Sequence, residues 1–300
     1  MRLVAHYEVE KGALGGPESI RLLYDAAFGT TTIEVEQGPS REISVTFQSI
    51  SHLDEAFRVI ETTEQLIMLC DGRYIPLKSL RLACTDGSHE DCQERCDNLL
   101  RGRLSFYRSA DFLAGTSKNK LLDYSKVLND GLIARFQQLR DDMGIVFNVL
   151  MYAQGGGLLC DVRVAFAVEL AEPMVELCKT RTGRFQSLNP GSRGTTLADC
   201  VTALIVQFGR DLFADENESD LSAFVNKAKN SRVRIMHIKN GFDGKSFSPS
   251  ENICYSALLL ALYRRILLEL LGLSDEISQE RLAEIAKYWK GWLKKREVEG

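Results

Sequence analysis

The chain has 300 residues, 45% of them apolar and 26% charged, and carries a net charge of −4. That composition supports a water-soluble protein with a packed core, in one large domain or two of ordinary size. It excludes a polycation, so any contact with nucleic acid has to come from a local basic patch.

The first stretch, "MRLVAHYEVEKG", is too acidic and too short in its apolar run for a secretory signal. Eight cysteines without such a signal predict reduced thiols and a cytoplasmic protein. "TTTIEVEQG" and "REISVTFQSI" alternate apolar and polar residues around a Gly-Pro-Ser turn, which predicts a hairpin. "LDEAFRVIETTEQLIMLC" reads as a helix, and "RYIPLKSLRLAC" has the alternation of a strand. Residues 1–112 are therefore expected to form a small mixed α/β domain.

Residues 113–300 read as all-helical, making the fold class α+β. Helix is expected from Asp123 to Tyr152 and again from Leu158 to about Cys178, separated by Gly155-Gly156-Gly157. A loop, "KTRTGRFQSLNPGSRG", leads into a helix from about Thr196 to Phe213, followed by one from about Leu221 to Ile238. Ser248-Pro249-Ser250-Glu251 has the form of a capping box, and Gly272 marks the end of the helix it opens. The apolar run Ile253–Leu271 is interrupted by Arg264, Arg265 and Glu269, which argues against a membrane span. Its apolar breadth suits the centre of a bundle or a homodimer seam. A last amphipathic helix spans about Gln279 to Arg296, with Leu282, Ile285, Ala286, Trp289 and Leu293 on its packing face and a solvated basic tip.

The segment "NSRVRIMHIKNG" places Arg232 five residues before His237, one of four histidines in the chain. At about 100° per residue from Leu221, the side chains of Phe224, Val225, Ala228, Ile235 and Met236 fall within roughly 60° of it. Arg232 falls at about 20°, in the middle of that apolar arc. A guanidinium stays charged at any ordinary pH, so it has to face a carboxylate, a phosphate or a wet interface. An arginine in such a place also serves as a structural anchor to a buried acid, and a histidine near a helix end also caps carbonyls. His237 falls at about 160°, so the two side chains diverge in an unbroken helix. They converge if the helix ends between them, or if a second copy completes the site.

Arg232-x4-His237, set before a glycine-containing loop and the long helix "SENICYSALLLALYRRILLELLGL", resembles the HEPN superfamily of all-helical domains and its ApeA-like branch in bacterial defence proteins. The likeness covers residues 113–300. It implies a metal-independent endoribonuclease that cleaves by 2′-hydroxyl attack, acts as a homodimer in antiphage defence or toxin-like growth arrest, and needs no cofactor for catalysis. Histidine suits the proton transfers, and arginine suits the charge on the phosphorane. Nucleases of the family usually carry a polar residue just after the arginine, where this chain has Val233. That departure keeps open a non-catalytic module that binds RNA or a protein partner. Arg234, between the two, and Lys239, just beyond them, are candidate further phosphate contacts, although Arg234 leaves the helix on another side.

Two other groups stand out. Lys179, Arg181, Arg184 and Arg193 lie in a stretch without an acid, with Phe185 among them, a pattern for tracking an RNA backbone as well as for a solvated loop. Cys84, His89, Cys92 and Cys96 supply four ligand types suited to a tetrahedral structural zinc, though without the paired C-x2-C of a finger.

Overall fold

The computed structural model describes residues 1–8, 19–37, 40–72, 77–83, 93–100, 117–154, 158–192, 194–213, 218–242 and 244–299. The fold is α+β, an antiparallel sheet followed by helices. Two compact units part between Asp142 and Met143.

In the first unit, β1 (Arg2–Glu8), β2 (Ser19–Ala26), β3 (Gly29–Gln37), β4 (Ser40–Thr46) and β5 (Leu77–Ala83) form a sheet in the order β2-β3-β4-β1-β5. The expected hairpin is β3–β4, with Ile33 opposite Val45 and Val35 opposite Ile43. β1 and β2 are strands beyond those predicted. Alternation along the strands places Leu3, Ala5, Ile33, Val35, Ile43 and Val45 on one buried face, against which α1 (Leu53–Asp71) packs. The other face carries cross-strand ion pairs, Arg2–Glu34 at 2.8 Å and His6–Glu42 at 2.9 Å.

Residues 93–100 form helix α2, and α3 (Tyr124–Val127) and α4 (Asp130–Met143) follow. α1 buries polar residues as well as apolar ones, including Thr62 and Gln65. Such groups need partners once water is removed. Arg140 of α4 supplies them, donating from Nη1 to Thr62 Oγ1 at 3.2 Å and to Gln65 Oε1 at 3.0 Å. The segment 117–142 thus completes the sheet unit. The division expected at residue 112 lies outside the described residues; the two compact units part in the last turn of α4, between Asp142 and Met143. The single helix expected over Asp123–Tyr152 is broken twice. Asn129 caps α4 by accepting from Leu132 N at 2.8 Å, and Gly144, with φ +51°, separates α4 from α5 (Ile145–Gln154).

The second unit contains α5, α6 (Cys160–Glu169), α7 (Ala171–Thr182), α8 (Leu197–Phe208), α9 (Glu218–Met236), α10 (Pro249–Leu270) and α11 (Gln279–Glu299). The predicted helix over Leu158–Cys178 is two helices, α6 and α7. Pro173 has no N–H to give to Glu169 O and crowds that carbonyl, so the chain kinks just after Glu169. α7 runs on to Thr182 and closes at Gly183, φ +70°, so Lys179 and Arg181 belong to its last turn and not to a loop.

α10 sits at the centre of the unit, packed by α6, α7, α8 and α11, and Leu258, Leu259, Ile266, Leu267 and Leu268 are buried along it. Its predicted capping box is in place. Ser248 Oγ accepts from Glu251 N at 3.2 Å, and Glu251 Oε2 accepts from Ser248 N at 2.7 Å. Among the described residues no helix is long and apolar enough to cross a membrane.

Candidate active site at the end of α9

Phe224, Val225 and Ala228 hold the middle of α9 in the core, as the helical wheel predicts. The burial fades toward the C-terminus, where Met236 is exposed. Arg232 sits on this boundary, its side chain 23% exposed. Of the partners open to it in the sequence, the structure provides a carboxylate. Glu169 at the end of α6 receives Arg232 Nε on Oε2 at 2.5 Å and Nη2 on Oε1 at 3.1 Å. This side-on, two-bond pairing raises the guanidinium further above its already high ordinary value. The Glu169 side chain is itself 39% exposed, so the pair lies at the surface and not in a closed interior.

The α9 helix ends between Arg232 and His237, which removes the divergence expected of one unbroken helix. Lys239 N donates to Arg234 O at 3.0 Å and Ile238 N to Ile235 O at 3.3 Å, the paired bonds of a Schellman turn. His237 is thereby the C-cap, and its ring swings back so that Nε2 lies 3.1 Å from Arg232 Nη1. A guanidinium only donates, so a hydrogen bond here requires a lone pair on Nε2 and the proton on Nδ1. The turn is strained. Ile238 occupies the position usually taken by glycine, with φ +48°, and a β-branched residue in that region costs on the order of 1–3 kcal/mol.

A second bridge secures the same helix end. Arg234 leaves α9 roughly 200° around from Arg232 and donates to Asp161 Oδ2 of α6 at 2.7 Å. Asp161 Oδ1 accepts from Asn252 Nδ2 of α10 at 2.5 Å. Arg234 is thus committed to holding α9 on α6, while Lys239 is exposed beside the turn. Glu169, Asp161 and Asn252 are site residues that the sequence did not single out. The one available signal was Pro173, which fixes a helix end four residues earlier, at Glu169.

The basic stretch is largely tied into the fold. Lys179 Nζ donates to Leu188 O at 3.0 Å and Asn189 Oδ1 at 2.8 Å. Arg184 pairs with Glu269 at 2.6 Å and stacks its guanidinium 5.1 Å from the Phe208 ring centre. Arg181 is exposed on the last turn of α7, and Arg193 lies outside the described residues. Of the four proposed zinc ligands, Cys84, His89 and Cys92 lie outside the described residues. Cys96 is buried in α2. Among the described residues no cluster of three or more His, Cys, Asp or Glu side chains is placed to hold a metal. A cavity of about 580 Å³ opens in the sheet unit between the start of α1 and α2, lined by Ser51, Asp54, Arg95 and Asn98 among others. It includes none of the candidate residues.

Fold and site together define an α+β protein with a Glu-Arg-His cluster at a helix terminus. No family model, curated protein or solved structure matches the chain.

Proposed function

We propose that the helical unit is a metal-independent endoribonuclease of HEPN type, with Arg232 as the phosphate clamp and His237 as the proton-transfer residue. The observation that carries this reading is the 3.1 Å approach of His237 Nε2 to Arg232 Nη1, made by ending α9 between them. Glu169 takes the Nε/Nη2 side of the guanidinium and fixes its plane. N–H groups on Nη1 and Nη2 are left to receive two oxygens of a phosphodiester. A phosphate drawing on Nη1 competes with His237 Nε2, freeing that lone pair to accept the 2′-hydroxyl proton.

The 2′-oxygen then forms a bond to phosphorus, the bond from phosphorus to the 5′-oxygen breaks, and a proton is delivered to the leaving oxygen. The products are a 2′,3′-cyclic phosphate and a 5′-hydroxyl. In the homodimer that the resemblance implies, the second copy's imidazole supplies the acid. Such an activity belongs with antiphage defence or growth arrest in the cytoplasm.

Incubation with tRNA and single-stranded RNA in EDTA, with end-group analysis, tests the reading. The wild type yields cyclic phosphate ends, and His237→Ala or Arg232→Ala lowers the rate about 100-fold or more. Cleavage unchanged in His237→Ala overturns the assignment. A second reading, a module that binds RNA or a protein without cutting, is favoured by Val233 and by the hold of Glu169 on Arg232. Retention of intact RNA by wild type and His237→Ala alike selects it.

A further inference from the structure

Ile238 adopts a conformation that burial does not explain. It follows the C-cap His237 in the left-handed region, at φ +48°, where glycine is free of strain. The residue is 91% exposed, so packing against the described residues does not hold it there. A branched apolar side chain in this place weakens the turn and gains the folded monomer nothing in return. The turn alone would favour glycine at this position.

We propose that Ile238 is a specificity-determining residue, packing its side chain on the face of an unpaired nucleobase next to the phosphodiester held at Arg232. This rests on the ribonuclease reading of the same site. Two features of the surroundings identify the occupant. His237 precedes Ile238 and touches Arg232, and the exposed Lys239 follows it. Ile238 is thus next in sequence to the imidazole that touches Arg232 and to an exposed lysine, two groups that suit an anionic backbone, while Glu169 occupies the other side of the guanidinium. Single-stranded RNA combines such a backbone with flat apolar faces one nucleotide apart, whereas a duplex hides those faces by stacking. The site is accordingly selective for unpaired RNA.

The test compares wild type, Ile238→Gly and Ile238→Val as full chains, on a short single-stranded RNA and on the same RNA with an abasic residue beside the cut. Ile238→Gly melts at a higher temperature than wild type, yet its kcat/KM on the intact strand falls about tenfold. Ile238→Val retains the wild-type rate. The abasic residue slows wild type by a similar factor and leaves Ile238→Gly unaffected. A more stable Ile238→Gly that cuts both strands as wild type does overturns the inference and leaves the ribonuclease reading intact. Sedimentation showing that Ile238→Gly splits a wild-type dimer, with no sensitivity to the abasic residue, assigns the side chain to a contact between copies and also overturns it. A wild type that neither cuts nor binds RNA overturns both.

Discussion

At the scale of single residues, the two carboxylate bridges to α9 differ in exposure from the charges buried deeper. Arg232–Glu169 is partly solvated, and a pair in that setting is worth about 0.5–1 kcal/mol. Glu169→Gln is therefore expected to lower the urea midpoint only slightly. On the proposed ribonuclease reading its larger effect falls on cleavage, because the plane of the Arg232 guanidinium is no longer fixed by an ionised partner. A rate unaltered in Glu169→Gln would show that Arg232 needs no such support.

Arg163 is the opposite case. It is 1% exposed on α6, its Nε and Nη2 find no hydrogen-bond partner among the described residues, and burial pushes it down to about 10. Replacing an unsatisfied buried cation by an apolar side chain of similar length removes that cost. Arg163→Met should stabilise the protein by about 1–3 kcal/mol in chemical denaturation. A fall in the midpoint would refute the view that the guanidinium is a liability to the fold.

Among the elements, those with local chemical signals could be read before the structure. The Ser248-Pro249-Ser250-Glu251 box opens α10 where expected, and Thr196 closes a second box with Asp199 at the start of α8. Ser248→Ala and Thr196→Ala should each cost about 1 kcal/mol, read as a drop in denaturation midpoint. No change in either would mean that the reciprocal bonds contribute nothing. The β3–β4 hairpin was legible because its alternation has one buried face. β2 was not, since Arg21, Leu23 and Asp25 are exposed and its apolar residues Ile20 and Leu22 are only half covered.

Helix lengths were overread where one residue interrupts an otherwise continuous apolar pattern, as Gly144 and Pro173 do. That same error hid Glu169. A wheel drawn on α9 shows that Arg232 needs an anion, but not which helix supplies it, because the contact spans 63 positions in the chain. The convergence with His237 was legible only as a condition, that α9 should stop in time. The Schellman bonds meet that condition with an isoleucine where sequence rules look for glycine.

For the molecule as a whole, buried acids set the response to alkali. Burial pushes the Cys178 thiol up to about 12 and the Cys200 thiol up to about 11, and it raises the Tyr263 hydroxyl as well. In the unfolded chain these thiols ionise near pH 8.5–9. Above that pH the unfolded state binds fewer protons than the native one, so stability falls as pH rises toward 11–12. Denaturation midpoints should decline across this window, and Cys178→Ala/Cys200→Ala should flatten the decline. A wild-type midpoint constant from pH 8 to 11 would contradict the burial of both thiols.

The strand order carries a consequence for how the protein is made. β1 lies inside the sheet, between β4 and β5, although it precedes both in the chain. The β2-β3-β4 meander can assemble as soon as it emerges. The far side of β1 has no neighbour until β5 appears about 75 residues later, roughly 4–15 s at ordinary elongation rates. From the pairing of β1 with β4 until then, the nascent chain presents an open β edge. Slower translation across residues 50–80 should therefore raise the share of nascent chains lost to aggregation.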